Sequence, residues 1–225
     1  MTQQLWTDVD RYLTDRLVPP DTALDSALRE SANAGLPEIN VAPNQGKLLY
    51  LFTLASRATR ILEIGTLGGY STIWLARALQ PGGKLVTLEA DARHARVAEA
   101  NIARAGLADR VEVIVGPALE SLPSLEARAE APFDLTFIDA DKVPTVEYFT
   151  WSLRLSHLGS VIVVDNVVRG GRVADPASDD PSVLGMRRFF EALADEARVM
   201  ATAVQTVGSK GHDGFVFAVV TGEAN

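Results

Sequence analysis

The sequence predicts an α/β fold in which a mostly parallel β-sheet carries helices on both faces. Length and composition allow it, because 225 residues with 47% hydrophobic and 22% charged residues can bury a sizeable core. After residue 60, short apolar runs alternate with amphipathic helical stretches, which is typical of a parallel sheet. Near the C-terminus, the Gly-rich connection 207–214 is too short for a crossover helix and indicates an antiparallel hairpin.

The first 42 residues predict a helical extension. Apolar residues recur at helical spacing over residues 5–17, and a Pro-Pro pair ends that pattern. A second helical pattern stops at Gly35, and Pro43 suits the first turn of a third helix. We therefore predict a single domain with an N-terminal helical extension over residues 1–42, packed on an α/β core over residues 43–225.

The core region contains five apolar runs that predict strands, with helical patterns between them. The predicted strands are Ile61–Ile64, Lys84–Leu88, Val111–Val115, Phe133–Ile138 and Val161–Val164. The predicted helices lie near residues 71–79, 91–105, 117–125, 145–155 and 181–195. The C-terminal hairpin pairs Val199–Thr206 with Phe215–Val220.

Charge and composition exclude several function classes. A formal net charge of −8 argues against a protein that grips a nucleic-acid backbone, which needs a concentrated basic face. The absence of Cys excludes disulfides, thiolate metal sites and a cysteine nucleophile. The N-terminus has no basic region leading into an apolar stretch, and the longest apolar runs are too short to span a bilayer. We expect a soluble cytoplasmic protein without a nucleic-acid or membrane partner.

Ligands of an open parallel sheet collect beyond the carboxyl ends of its strands, so the residues after each predicted strand are the first place to look. After the first strand, Gly65, Gly68 and Gly69 have the spacing G-x-x-G-G, whereas the dinucleotide fingerprint is G-x-G-x-x-G. Glu63 is an acid in an apolar strand, and burying it is costly without a cationic or hydrogen-bonding partner. A cationic ligand therefore suits this turn better than a diphosphate, although Gly is also common in plain strand–helix turns.

The second and third strand ends add weaker signals. Glu89 lies about 20 residues after the glycines, where an acid commonly accepts hydrogen bonds from ribose hydroxyls. Asp91 is the better cap for the following helix, which leaves Glu89 free for a sugar. Ala118 follows a Gly-Pro pair after the third strand and suits a flat ring, but Gly-Pro is also a common helix start.

The fourth and fifth strand ends carry the strongest signal. Asp139 follows one strand, and Asp165 and Asn166 end the next, so adjacent parallel strands would bring these three side chains together. Three oxygen donors without His or Cys suit Mg²⁺ or a similar divalent ion, whereas the alternative is ordinary loop capping and turn formation. Lys142 lies beside them; next to a cation in a buried site it can give up its proton and act as a base, or it is a solvated surface lysine.

Taken together, these motifs resemble the cation-dependent class I O-methyltransferases, a family that includes caffeoyl-CoA and catechol O-methyltransferases and many bacterial relatives. The resemblance covers about residues 36–222. Its central motifs are Ile61–Thr66, Gly69–Ser71, Phe137–Lys142 and Asp165–Val167. Segments that resemble the bacterial branch are Ala42–Lys47 and Gln205–Gly211.

The resemblance implies a Rossmann-like seven-stranded sheet with an antiparallel last strand, S-adenosylmethionine as methyl donor, and a catechol-like (vicinal dihydroxy) aromatic or similar small molecule as acceptor. It also implies a homodimer. Matched by position, the donor site would consist of Val41, Glu63, Gly65, Thr66, Ser71, Glu89, Ala118 and Asp139. The divalent cation, Mg²⁺ or another ion, would bind to Asp139, Asp165 and Asn166. Asp141 would lie near the substrate, and Lys142 would be the catalytic base.

One segment departs from the family pattern. Many members of the family carry an Asn-Tyr pair one residue after the Asp-Lys, whereas here Pro144 and Thr145 occupy those positions, so we expect a different substrate contact at this point. The polar stretch 167–181 predicts a mobile loop over the acceptor. Two alternatives to an O-methyltransferase stay open from the residues alone: a nucleotide-dependent oxidoreductase, which the glycine spacing disfavours, and a non-catalytic donor-binding homologue, which the full set of polar residues disfavours.

Overall fold

A computed structural model describes residues 2–128 and 132–222 of the chain. The helices are α1 (Gln3–Leu17), α2 (Thr22–Asn33), α3 (Pro43–Ser56), α4 (Tyr70–Ala78), α5 (Ala92–Arg104), α6 (Ala118–Ala127), α7 (Thr145–Arg154) and α8 (Pro181–Asp195). The strands are β1 (Arg60–Ile64), β2 (Lys84–Glu89), β3 (Val111–Val115), β4 (Phe133–Ile138), β5 (Ser156–Asp165), β6 (Val199–Gly208) and β7 (Gly211–Val220). A short 3-10 helix covers Arg169–Ala174.

The strands form one seven-stranded sheet in the order β3-β2-β1-β4-β5-β7-β6. Strands β1 to β5 pair in parallel, and β7 runs antiparallel to both β5 and β6. The predicted Rossmann-like sheet with an antiparallel last strand is therefore confirmed. The register pairs Ile64 with both Leu88 and Ile138, and Ile138 with Val164, so the ends of these strands meet at one edge of the sheet.

Successive residues of the central strands pack on opposite faces, because side chains alternate across a strand. Leu62 packs in the cluster that includes Phe149 of α7 and Phe189 of α8. Its neighbour Ile61 packs in the cluster that includes Trp74 of α4. A sheet that is buried on both faces explains why these strands are continuous apolar runs in the sequence.

The first two helices are tied to the core by acidic side chains. Asp21 caps α2 by accepting hydrogen bonds from the backbone of Ala23 and Leu24, and it also pairs with Arg77 of α4. Asp10 of α1 accepts a hydrogen bond from the side chain of Asn44 at 2.9 Å. The division into an extension over residues 1–42 and a core over 43–225 stays a prediction.

Several boundaries differ from the sequence prediction. Strand β5 begins at Ser156, five residues before the apolar run, because Ser156 pairs with Phe133 of β4; the register then shifts, and regular pairing resumes at Val161. The hairpin turn consists of Ser209 and Lys210 alone, so the predicted connection 207–214 was too long. The 3-10 helix lies within the predicted loop 167–181, whose mobility stays a prediction. Over the described part of the chain, the helices are too short or too polar to cross a membrane.

Candidate functional site

A cavity of about 840 Å³ lies at the carboxyl ends of the parallel strands. Its wall includes residues that follow β1, β2, β3, β4 and β5, as expected for an open parallel sheet. The predicted site residues on this wall are Val41, Gly65, Thr66, Ser71, Glu89, Ala118, Asp139, Asp141, Lys142 and Asn166. The other two predicted residues, Glu63 and Asp165, are buried behind the wall.

Gly65 allows the turn after β1 to approach the end of β4 closely. Its φ of 98° lies in the left-handed region, and a Cβ at this position would come within 2.1 Å of the carbonyl oxygen of Asp139. Only glycine satisfies both the backbone angle and the short distance without moving the backbone. This close approach brings the ends of β1 and β4 to the same side of the cavity.

Glu63 is completely buried and contacts the cavity only through another side chain. The hydroxyl of Ser71 donates to it at 2.6 Å and that of Thr87 at 2.7 Å, and the Thr72 hydroxyl donates as well. Burial raises the pKa of Glu63 to about 7, although these hydroxyls lower it and nearby Asp139 raises it further. Because Ser71 lines the cavity, Glu63 fixes the orientation of a cavity residue.

Glu89 is not free, contrary to the expectation from the sequence. One of its carboxylate oxygens accepts hydrogen bonds from the backbone N–H of Thr66 at 3.1 Å and of Leu67 at 2.7 Å. The other accepts one from the N–H of Asp91 at 3.0 Å. The carboxylate thereby holds the glycine turn against β2. Since a carboxylate has about four acceptor positions, one is left for a ligand.

The expected helix cap next to Glu89 is confirmed. Asp91 accepts hydrogen bonds from the backbone of Arg93 and His94 at the start of α5. His94 itself lines the cavity, with its Nδ1 atom 3.6 Å from a carboxylate oxygen of Glu89.

Asp139 and Asp165 lie side by side at the ends of β4 and β5. The residues just before them, Ile138 and Val164, are partners in the strand register. Asp165 is 4% exposed and accepts hydrogen bonds from the side-chain amide of Gln45 at 2.7 Å and from the backbone of Asn166 at 2.8 Å. Burial raises the pKa of Asp165 to about 7, with a further increase from the negative charge of Asp139.

These residues have the chemistry of a cation site. Two neighbouring carboxylates repel each other, so a cation between them would be favourable, and the Asn166 amide adds a third oxygen donor. Asn166 reaches the cavity wall because its φ of 57° turns the chain sharply after β5. No group of three His, Asp or Glu side chains that could hold a metal occurs in residues 2–128 and 132–222, so two carboxylates and one amide are the donors available here.

Lys142 is not a solvated surface lysine. It is 8% exposed, and its Nζ atom donates to a carboxylate oxygen of Asp139 at 3.2 Å. Thr145, where the resemblance implied an aromatic residue, is buried and donates its hydroxyl to the carbonyl oxygen of Lys142 at 3.0 Å. The departure from the family pattern therefore leaves a residue that stabilises the loop carrying this lysine.

Asp141 and Tyr148 form a pair on the same wall of the cavity. The Tyr148 hydroxyl donates to a carboxylate oxygen of Asp141 at 2.7 Å. Burial raises the pKa of Tyr148, and the hydrogen bond to Asp141 raises it further, so the hydroxyl stays protonated. Sequence reasoning missed Tyr148, because a tyrosine on an amphipathic helix indicates packing as readily as a site.

Comparisons with known proteins decide the family. The model of a family described as O-methyltransferase matches residues 19–217. A protein of Mycobacterium tuberculosis named catechol O-methyltransferase is 54% identical over 213 residues, which cover 95% of each chain. The chain belongs to this O-methyltransferase family. The family and the enzyme class that the sequence implied, transfer of a methyl group to oxygen, are confirmed.

Solved structures of similar O-methyltransferases agree with this assignment. An O-methyltransferase from Bacillus cereus, solved in complex with S-adenosylhomocysteine (SAH), is 55% identical with a TM-score of 0.96, covering 98% of this chain and 100% of the other. TomG from Streptomyces achromogenes, involved in tomaymycin synthesis and solved in complex with S-adenosylmethionine (SAM), is 52% identical with a TM-score of 0.95, covering 99% and 100%. The oxidoreductase alternative is not favoured for a member of this family.

Proposed function

We propose that this O-methyltransferase transfers the methyl group of S-adenosylmethionine to one hydroxyl of a catechol-like aromatic, with a divalent cation held by Asp139, Asp165 and Asn166. The observation that carries the proposal is the pair of neighbouring carboxylates, Asp139 and Asp165, next to buried Lys142 on a cavity large enough for donor and acceptor. The names of the similar proteins support both the donor and the acceptor class.

The donor occupies the part of the cavity formed by β1 and β2. Ser71 and the backbone around Gly65 surround its methionine end, and the small side chain of Ala118 leaves room for the flat adenine. Glu89 uses its remaining acceptor position for a ribose hydroxyl. The same carboxylate holds the glycine turn, so donor binding and the shape of this turn depend on one side chain.

The acceptor lies between the two carboxylates and the donor methyl group. Asp139, Asp165 and Asn166 would hold the divalent cation, which would make a hydroxyl of the bound acceptor more acidic. Hydrogen bonds from the Gln45 side chain and the Asn166 backbone fix the orientation of the Asp165 carboxylate. Asp139 accepts a hydrogen bond from Lys142 and so keeps the lysine amine next to these carboxylates.

Lys142 in its amine form takes the proton of that hydroxyl. The resulting oxygen anion attacks the methyl carbon of the donor, the carbon–sulfur bond breaks, and the sulfur leaves as a neutral thioether. The protonated Lys142 remains next to the carboxylate of Asp139, which stabilises its charge. Holding the two reactants in line can lower the barrier by about 7–11 kcal/mol, so orientation by the cavity wall is a major part of the catalysis.

An assay of methyl transfer tests the proposal. Purified protein is incubated with labelled S-adenosylmethionine and a panel of dihydroxy aromatics, with Mg²⁺ or with a chelator. We expect transfer to vicinal diols that disappears with the chelator, and a large loss of turnover for Lys142→Ala with unchanged donor affinity. Lys84→Ala, at the opposite end of β2, is the matched control and should keep full turnover. Metal-independent transfer, or full turnover in Lys142→Ala, would contradict the mechanism.

A second copy of the chain would cover an apolar surface formed by α1, α3 and the edge strand β6. Large apolar side chains are exposed on α1, α3 and the edge strand β6, among them Leu5, Tyr12, Leu51, Met200 and Val204. Strand β6 also has an unpaired edge in the sheet order. Sedimentation equilibrium should give a dimer that Met200→Glu converts to a monomer; a monomeric wild type would overturn this arrangement. Residence in the cytoplasm stays a prediction.

A further inference from the structure

We infer that Arg169 binds a carboxylate on the acceptor, so that the preferred acceptors are dihydroxy aromatic acids. This inference rests on the proposed function and adds the acceptor's charge to it. Arg169 lines the cavity three residues after Asn166, on a wall that also includes Val143, Pro144 and Tyr148. An acceptor whose hydroxyls face Asn166 therefore shares its cavity with this arginine.

The backbone of Arg169 is held firmly in an unusual conformation. Its φ of 56° lies in the left-handed region, which is uncommon for a residue with a side chain. Asp213 of β7 stabilises this conformation by accepting hydrogen bonds from the backbone N–H of Val168 at 2.9 Å and of Arg169 at 3.0 Å. Strand β7 thus fixes the backbone from which the Arg169 side chain extends.

The guanidinium of Arg169, by contrast, has no hydrogen-bond acceptor within the described residues. Its Nε atom is buried without a partner. The nearest carboxylate oxygen, on Asp213, lies 4.0 Å from Nη1, which is beyond hydrogen-bonding distance. The other oxygen of Asp213 already accepts three backbone N–H groups, from Val168, Arg169 and Gly214. Burying an N–H group without an acceptor is unfavourable. The guanidinium therefore keeps donors that no acceptor in the described residues uses, on a residue that lines the cavity.

Neighbouring arginines do not share this property. Arg172, in the same 3-10 helix, donates to Asp180 at 2.7 Å. Arg187 of α8 donates to the carbonyl oxygen of Val173 at 3.0 Å. Their guanidinium groups connect parts of the protein, whereas that of Arg169 is available to a ligand in the cavity.

Arg169 is better placed to bind an anion than the other charged residues near the acceptor. Lys142 is already engaged by Asp139, and Asp141 already accepts the hydroxyl of Tyr148. A guanidinium presents parallel N–H groups that match the two oxygens of a carboxylate. Since the cavity must also hold the donor, a carboxylate on a single ring or its short side chain fits better than a large phosphate-bearing tail.

A matched pair of acceptors tests the inference. 3,4-Dihydroxybenzoate and 3,4-dihydroxybenzamide have the same size and differ in charge. For the wild type we expect kcat/KM for the acid to exceed that for the amide at least about tenfold, as for a site built to bind a polar group. Arg169→Gln should remove this preference by raising KM for the acid, with kcat and the amide almost unchanged. Arg169→Lys should keep part of the preference for the acid, because lysine retains the positive charge but lacks the two parallel N–H groups of a guanidinium.

Binding gives a readout that does not need turnover. Calorimetry with the protein, S-adenosylhomocysteine and Mg²⁺ should show weaker binding of 3,4-dihydroxybenzoate to Arg169→Gln by the same factor. Arg172→Gln is the matched control from the same segment, and its acid-to-amide ratio should equal that of the wild type.

The outcomes separate this inference from the proposed function. Equal use of acid and amide by the wild type overturns the role of Arg169 while leaving the methyl transfer in place. An equal loss of both acceptors in Arg169→Gln, with a lower melting temperature, overturns it too, because that pattern belongs to a structural pairing with Asp213. No transfer to either acceptor by the wild type overturns the proposed function and this inference together.

Discussion

The two ends of the same β-sheet shift the pKa of a partly or fully buried carboxylate in opposite directions. At the amino end of β4, Asp134 accepts hydrogen bonds from the backbone of Thr59 at 2.6 Å and of Arg60 at 2.8 Å, and from His157 at 2.9 Å. Burial alone would raise the pKa of Asp134, but these hydrogen bonds hold it below its usual value. At the carboxyl end, Glu63 and Asp165 have pKa values raised to about 7.

The difference follows from the donors and the solvent at each end. Asp134 has two backbone N–H groups, a hydroxyl and a histidine, and its side chain keeps 22% of its surface in solvent. Glu63 has hydroxyl donors only and no solvent, and Asp165 has a second carboxylate beside it. The ionised acid therefore stabilises the fold at the amino end and destabilises it at the carboxyl end. Groups kept at such a cost are concentrated at functional sites.

Asp165→Asn should have the largest effect on activity. It removes one of the two neighbouring carboxylates, and losing several kcal/mol of charge stabilisation lowers turnover by about three orders of magnitude. Stability should change little, because the loss of the acceptor for the Gln45 amide is offset by the removal of a buried charge, while the amide oxygen still accepts from the Asn166 backbone. The check is kcat at saturating Mg²⁺ together with the midpoint of urea unfolding.

Asp134→Asn is the matched control for this prediction, since it makes the same chemical change at the other end of the sheet. Its kcat per folded molecule should equal that of the wild type. If Asp165→Asn keeps wild-type turnover while the reaction still requires Mg²⁺, Asp165 does not hold the metal.

Glu63→Gln should have the second largest effect, on the pH dependence of stability. The folded pKa of about 7 lies above the ordinary value of 4.5, so the wild type loses stability as pH rises from 4.5 through 7. The size of that loss is of the order of 3 kcal/mol, and a neutral glutamine removes it. Urea unfolding at several pH values between 5 and 8 should give a flatter stability profile for the variant.

The control for Glu63→Gln is Glu126→Gln, which changes an exposed glutamate that pairs with Arg154. Its stability profile should run parallel to that of the wild type. A profile of Glu63→Gln that is also parallel to the wild type would mean that this carboxylate is already charged throughout the range.

The part of the site that depends on sheet topology could be predicted from the sequence. Adjacent parallel strands end at one edge, so Asp139, Asp165 and Asn166 follow from the positions of two apolar runs. Lys142 follows from its distance along the chain to Asp139. The same logic places Glu89 at the end of β2, and it is confirmed on the cavity wall.

Side-chain directions and loop geometry could not be predicted in this way. Arg169 reaches the cavity through a left-handed backbone that Asp213, 44 residues away, stabilises. Glu89 accepts hydrogen bonds from the backbone of Thr66 and Leu67, in the glycine turn 23 and 22 residues earlier in the chain. No local pattern in the sequence predicts these hydrogen bonds. Tyr148 and His94 lie on helices, and the sequence pattern there is the same whether a side chain packs against the core or contacts a ligand.

Asp134→Ala should lower stability without lowering activity. It removes the hydrogen bonds that Asp134 accepts from the backbone of the exposed residues Thr59 and Arg60, at a cost of about 0.5–1.5 kcal/mol for each bond. Since this cluster lies at the end of the sheet away from the cavity, kcat per folded molecule should not change. Urea unfolding and the methyl-transfer assay together give the check, and a loss of kcat without a loss of stability would contradict the contrast between the two ends.

His157→Gln should have the smallest effect. The hydrogen bond to Asp134 raises the pKa of His157 above its usual 6.5, so its contribution to stability is complete below pH 6.5 and is lost as pH rises through the folded pKa. The pair is partly exposed, so the contribution is below about 1 kcal/mol. The variant should therefore be less stable than the wild type at pH 5.5 and nearly equal to it at pH 8.5. In an Asp134→Ala background the same substitution should have no effect at either pH, and a penalty that persists there would assign the stabilisation by His157 to contacts other than Asp134.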